Sequence, residues 1–168
     1  MISDRMQKAL NEHVDAETFS AYLYFSMAAH FDHANLPGFA HWMKVQAQEE
    51  LQHALKTYDF INERGARVRL GAIEAPDSEW ESPLAVFEAA LAHEREVTER
   101  IYKLADLAEA DRDRATRVFL EWFISEQVEE ESTADGICQQ LRMIEDSPQA
   151  IFMLDRELGQ RQPGPPPP

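Results

Sequence analysis

Residues 119–134 read FLEWFISEQVEEESTA. Apolar side chains return every three or four positions, the rhythm of an α-helix with one buried stripe. Phe123, Ala134, Ile137, Leu141 and Ile144 carry the stripe onward, yet Gln127 and Glu130 fall inside it. A buried amide must be hydrogen-bonded, and a buried ionised carboxylate needs an opposite charge. The interruption therefore calls for a partner.

Three more segments show the same fault. One seam runs Met6, Leu10, Glu17, Tyr24, Ala28, Phe31 and breaks at Glu17. The next runs Phe39, Met43, Gln46, Glu50, His53, Thr57, Phe60 and breaks at Glu50 and His53. The third runs Leu84, Phe87, Leu91, Glu94, Thr98, Ile101, Ala105, Ala108 and breaks at Glu94. One such residue is an accident; four helices each breaking their own seam share a partner.

The chain around these seams predicts an all-α fold. Asp4 with Gln7 resembles a capping box opening a first helix over 4–33. ANLPG (34–38) is a tight turn, and a second helix follows from Pro37 to about 64, where Gly65 supplies a left-handed stop. Residues 66–82 form a connection broken by Gly71, Pro76 and Ser82. Ser82-Pro83 opens a third helix to about 110, EADRDRA (109–115) is a polar turn, and a fourth helix reaches about 145. Ser147-Pro148 opens a short fifth helix over 148–159. A helix over 37–64 spans about 42 Å at the α-helical rise, and a linker over 66–82 stretches to about 55 Å. The linker can return along the whole bundle. The expected architecture is a four-helix bundle of two antiparallel hairpins, with one long crossover between helices two and three. The domain is expected over 1–159, and the Pro-rich tail 160–168 is expected to be extended or disordered.

Turn counting supports a shared site. Counting from residue 35, Glu17 lies 18 positions before, and Glu50 and His53 lie 15 and 18 after. Counting from residue 112, Glu94 lies 18 before, and Gln127 and Glu130 lie 15 and 18 after. Equal counts in an antiparallel hairpin mean equal depth, so each hairpin sets one glutamate opposite an i, i+3 pair. Carboxylates with one imidazole suit two hard-to-borderline metal ions, of which iron is the expected pair. The expected chemistry is oxidation of Fe(II) by dioxygen or peroxide.

Composition narrows the alternatives. The net charge of −15 disfavours nucleic acid and anionic membranes as partners. No apolar run approaches the roughly 20 residues of a membrane span, and no charged-then-apolar leader is visible in MISDRMQKAL. Cys138 is the single cysteine, so no intrachain disulfide forms and a cytoplasmic location is expected. Cys138 itself is expected to be a small buried hydrophobe.

The set Glu17, EELQH (49–53), Glu94 and SEQVEEE (125–131) resembles the bacterial non-haem ferritins, over essentially the whole chain. The resemblance implies an iron-storage ferroxidase: Glu17, Glu50 and His53 around one iron, and Glu94, Glu130 and bridging Glu50 around the other. It implies Gln127 beside the pair as a hydrogen-bonding side chain, and Tyr24 as the family's site tyrosine. It implies a third iron position from Glu49, Glu126 and Glu129 with Glu130. It also implies a homo-oligomeric hollow shell of twenty-four subunits holding ferric mineral. Haem-containing bacterioferritins resemble a design with glutamate and histidine where this chain has Gln127 and Glu130, and with a methionine where it has Gln52, so haem is not expected. His13, His30, His33 and His41 are expected at the surface or in turns, His93 at the surface or behind the site, and Trp122 in the core. Two rival readings are a rubrerythrin-like di-iron peroxidase, which normally carries a Cys-rich iron domain, and a non-catalytic helical scaffold.

Overall fold

In a computed structural model, residues 2–144 and 147–167 are described. The expected end of the fourth helix at 145 lies outside the described residues, as do Met1 and Pro168. The helices are α1 (Asp4–His33), α2 (Pro37–Glu63), α3 (Pro83–Ala110), α4 (Arg114–Ile144) and α5 (Pro148–Leu158). No strand occurs among the described residues.

Local chemistry sets most of these ends. Ser82 and Ser147 cap α3 and α5 through hydrogen bonds from Ala85 N (3.1 Å) and Ala150 N (3.5 Å), each followed by proline at the first helical position. Gly65 ends α2 at φ 70°, with Ala66 N reaching back to Ile61 O at 3.1 Å. The capping box expected at Asp4 and Gln7 is not formed. Ser3 is the cap, accepting from Met6 N at 3.1 Å, because its short hydroxyl stands just outside the first turn. The Gln7 amide instead donates to Arg67 O at 3.1 Å. The turn expected over 109–115 is tighter: α3 runs to Ala110, Arg112 takes φ 55°, and Asp113 receives Thr116 N at 3.1 Å to start α4.

The crossover lies along α1 in order. Asn11 Nδ2 donates to Arg67 O (3.3 Å), Arg69 N to Asn11 Oδ1 (2.6 Å), Gly71 N to Asp15 Oδ1 (2.9 Å) and Ser26 Oγ to Asp77 O (2.6 Å). Trp80 then meets the His30 ring edge-on at 5.4 Å. The connection thus climbs α1 from one end to the other and delivers α3 antiparallel to it: Phe87 near the start of α3 packs on Phe31 near the end of α1, and Asp111 beyond the end of α3 accepts from Arg5 Nε at 2.7 Å.

The second helix has no cap of its own. Its N-cap position is Leu36, and the donors are met from α5, where Asp155 Oδ1 accepts from Gly38 N (2.8 Å) and Phe39 N (3.0 Å). A Cβ on Gly38 would lie 1.6 Å from Asp155 O. Gly38→Ala is therefore expected to push α5 off the bundle, with a cost of about 3 kcal/mol. Thermal unfolding measures it, with Phe39→Leu as a volume-loss reference; an unchanged midpoint would show that α5 is not held there.

Two apolar clusters fill the bundle. One gathers Tyr24, Phe31, Phe39, Trp42 and Phe87 with Leu154 and Leu158 of α5. The other gathers Met6, Leu10, Ile61, Ile101, Leu120 and Phe123. The residues that break the seams lie between them in sequence on every helix and are themselves buried, so they form a polar layer across the middle. Cys138 is fully buried in the first cluster. On α5, Phe152 and Met153 remain 60% and 71% exposed, more apolar surface than this bundle covers. Among the described residues, no helix is long and apolar enough to cross a membrane.

Candidate metal centre

The polar layer takes one carboxylate from α1 (Glu17), a carboxylate and an imidazole one turn apart from α2 (Glu50, His53), one carboxylate from α3 (Glu94), and Gln127 and Glu130 one turn apart from α4. All six are buried. Glu17, Glu50 and His53 bring ligand atoms within 4.8 Å of one another, and so do Glu50, Glu94 and Glu130. Glu50 belongs to both groups, so two cation positions would share it as a bridge. His53 Nδ1 stands 3.4 Å from Glu50 Oε2 and 4.0 Å from Glu17 Oε2.

A fixed frame of donors holds the carboxylates. Gln127 Nε2 donates to Glu94 Oε2 at 3.1 Å, and the Tyr24 hydroxyl donates to Glu94 Oε1. Gln46 Nε2 donates to Glu50 Oε1 at 3.0 Å and to Glu130 Oε2 at 2.6 Å. The His53 ring meets Trp122 edge-on at 5.3 Å and Phe123 at 6.1 Å, which fixes its plane. Hydrogen-bond partners of this kind orient the carboxylates that could ligate a cation.

The charges do not balance within the protein. Burial, then the charge of Glu50, pushes the Glu94 carboxyl up to about 8. Burial and Glu50 likewise raise Glu17 and Glu130 well above the ordinary carboxylate range. Burial opposes ionisation of Glu50 too, but hydrogen bonding and charge from His53 outweigh it, so Glu50 is held low. His53 follows in the opposite sense: burial lowers it, Glu50 raises it more, and it comes to about 9. These shifts favour an imidazolium at His53 beside an ionised Glu50, and the protonated form at Glu17, Glu94 and Glu130.

The direction of a pH effect follows. An unfolded Glu94 ionises near 4.5, whereas the folded one keeps its proton to about 8. Folding then carries a growing cost as pH rises from 4.5 to 8, and a divalent cation removes it by displacing the proton. Co(II) binding at pH 7 is expected to release protons. Calorimetry in two buffers of different ionisation enthalpy measures this, and equal heats in both would contradict it.

The family model described as ferritin-like domain matches residues 7–144. The chain is 44% identical over 161 residues to the bacterial non-heme ferritin of Bacteroides fragilis (strain 638R), covering 96% of this chain and all of that one. This chain belongs to the ferritin family. The non-heme ferritin of Staphylococcus epidermidis (strain RP62A) is also 44% identical, over 96% of this chain and 97% of its own. Among solved structures, an open pore ferritin from the archaeon Archaeoglobus fulgidus superposes with a TM-score of 0.95 at 52% identity, over 96% of this chain and 100% of that chain. A humanized archaeal ferritin superposes with a TM-score of 0.97, also at 52% identity, over 98% of this chain and 100% of that chain.

In this ferritin-like bundle the acidic residues off the seam separate. Glu126 comes together with His53 and Glu130. Glu49 and Glu129 join no such group among the described residues, though both line the same cavity of about 490 Å³ as His53, Glu126 and Glu130. Glu49 is held instead by the C-terminal segment, accepting from Arg161 Nη2 (2.5 Å) and Gly164 N (2.7 Å).

Of the histidines expected at the surface or in turns, His33 and His41 are exposed and His30 is half-buried. His13 is a correction: it is buried, with Nε2 3.1 Å from Glu17 Oε1 but out of hydrogen-bond alignment, and its ring edge-on to Phe123 at 5.1 Å. Burial, then the charge of His53, lowers it to about 3, so it is neutral. The signal was present, since His13 precedes Glu17 by four positions and so shares its face. His93 is half-buried behind the layer, 2.7 Å from Ser20 Oγ and edge-on to Tyr24 at 6.4 Å. By spacing Gln46 is an ordinary member of its seam, and its bridge between Glu50 and Glu130 depends on α2 facing α4, which no count along one helix reveals.

Proposed function

We propose that this ferritin binds Fe(II) as a substrate at two adjoining positions, oxidises it to Fe(III) with dioxygen or hydrogen peroxide, and stores the product as ferric mineral inside a hollow shell of twenty-four subunits. The observation that carries the reading is the buried layer of four glutamates and one imidazole, drawn from four helices. Its donor set of oxygens with one nitrogen suits iron, and its surplus of acid over base is what a pair of divalent ions would neutralise.

Glu17, Glu50 and His53 would hold one Fe(II), and Glu50, Glu94 and Glu130 the other. Two Fe(II) supply two electrons, enough to reduce one dioxygen to hydrogen peroxide with two protons, or one hydrogen peroxide to water with two more. Tyr24 and Gln127 hold Glu94 by hydrogen bonds, and Tyr24 is close enough to supply a further electron. An onward position toward the shell interior would use Glu126 with Glu130, and Glu49 and Glu129 at its margin; the grouping of His53, Glu126 and Glu130 supports it. The exposure of Phe152 and Met153 supports assembly, in which symmetry-related copies would cover them. The cytoplasm, as a reducing compartment, suits both the free thiol and a supply of Fe(II).

Aerobic Fe(II) additions followed by size-exclusion chromatography test the function. Storage predicts elution at hundreds of kilodaltons from a 19.3 kDa chain, with iron co-eluting far beyond two per subunit. Elution as a small oligomer with about two irons per subunit would instead indicate a di-iron oxidase without storage, and no iron a scaffold.

A further inference from the structure

Beyond α5 the chain turns back onto α2. Gly159 N donates to Asp155 O at 3.0 Å and Arg161 N to Leu158 O at 3.2 Å. The turn brings the Arg161 side chain along three positions on one face of α2. Its guanidinium sits over the Trp42 indole, 4.2 Å from the ring centroid, and Nη2 donates to Gln46 Oε1 at 2.8 Å and to Glu49 Oε2 at 2.5 Å. The His41 ring lies 2.9 Å from the Arg161 carbonyl oxygen and secures the backbone there.

The contact with Gln46 has a directional consequence. A guanidinium has only donors, so it can face the amide only through the amide oxygen. That leaves the Gln46 nitrogen turned inward, where it donates to both Glu50 and Glu130. Gln46 is fully buried, so water does not compete for it. Without the guanidinium the amide oxygen loses its donor on the outer side, and that anchor no longer holds the nitrogen toward Glu50 and Glu130. We propose that Arg161 is a positioning residue for the paired site, acting through Gln46. The proposal rests on the paired-site reading above. It gives the segment after α5 a part in the site: Arg161 sets the two carboxylates that α2 and α4 contribute to the same group, and it simultaneously holds Glu49.

Co(II) titration by calorimetry under anaerobic conditions, together with initial Fe(II) oxidation rates, tests the proposal on the full chain. Arg161→Leu is expected to weaken Co(II) binding about tenfold, with a smaller loss in rate at saturating Fe(II), because bound metal then orders the carboxylates itself. Arg161→Lys is expected to restore most of the affinity, since its ammonium also offers only donors. Gln46→Leu is expected to cost as much as Arg161→Leu, and the double variant no more than Gln46→Leu alone. Unchanged Co(II) affinity in Arg161→Leu, or losses that add in the double variant, would overturn the proposal while leaving the paired site standing. A wild-type chain that takes up no Co(II) would overturn both.

Discussion

Glu130→Ala is expected to lower the initial rate of Fe(II) oxidation at least about tenfold while the subunits remain assembled. Glu130 is shared by two groups of ligand atoms, one with Glu50 and Glu94 and one with His53 and Glu126. Its loss would therefore remove a ligand from the proposed second iron position and the link to the cavity in one step. It also strips Gln46 of its 2.6 Å acceptor on α4. The side chain points into its own bundle, away from the exposed apolar residues of α5, so assembly has no reason to fail. Stopped-flow absorbance of the ferric product measures the rate, and an unchanged rate would count against the paired site.

His53→Ala is expected to weaken the first iron position by about tenfold or more and the second position less. His53 supplies the nitrogen of the Glu17–Glu50–His53 group, whereas Glu50, Glu94 and Glu130 form a group without it. The variant also removes the charge that holds Glu50 ionised. Glu50 is then expected to take up a proton, which the incoming iron must displace. Affinity at the first position should consequently recover as pH rises, more steeply than in the wild type. Equal weakening of both positions would contradict the division of ligands.

The seams explain why so much of this site could be read in advance. Glu17, Glu50, His53, Glu94, Gln127 and Glu130 each sit where helical periodicity demands an apolar side chain, and turn counting matches the depths within each hairpin, though not the stagger between the two hairpins. Helix identity, the crossover and the buried layer all follow from features local to one helix or one hairpin. What escaped reading depends on contacts between distant segments. Asp155 caps α2 from 117 positions away, and Arg161 reaches Glu49 from 112 positions away. Neither pairing has a periodic signal, because both depend on the angle at which α5 docks. Glu49, Glu126 and Glu129 look equivalent as acidic neighbours of the seam, yet the returning tail engages Glu49 while Glu126 faces His53. The burial of His13 is legible in its spacing from Glu17, although a lone histidine is more often found at a surface.

The claim that two irons share Glu50 inside one subunit is most directly tested by diffraction at the iron absorption edge, from crystals soaked anaerobically in Fe(II). Two anomalous peaks per subunit are expected, one among Glu17, Glu50 and His53 and one among Glu50, Glu94 and Glu130, each about 2.0–2.5 Å from carboxylate oxygens. A map with no peak in this layer, or with a single peak that Glu50 does not touch, would contradict it.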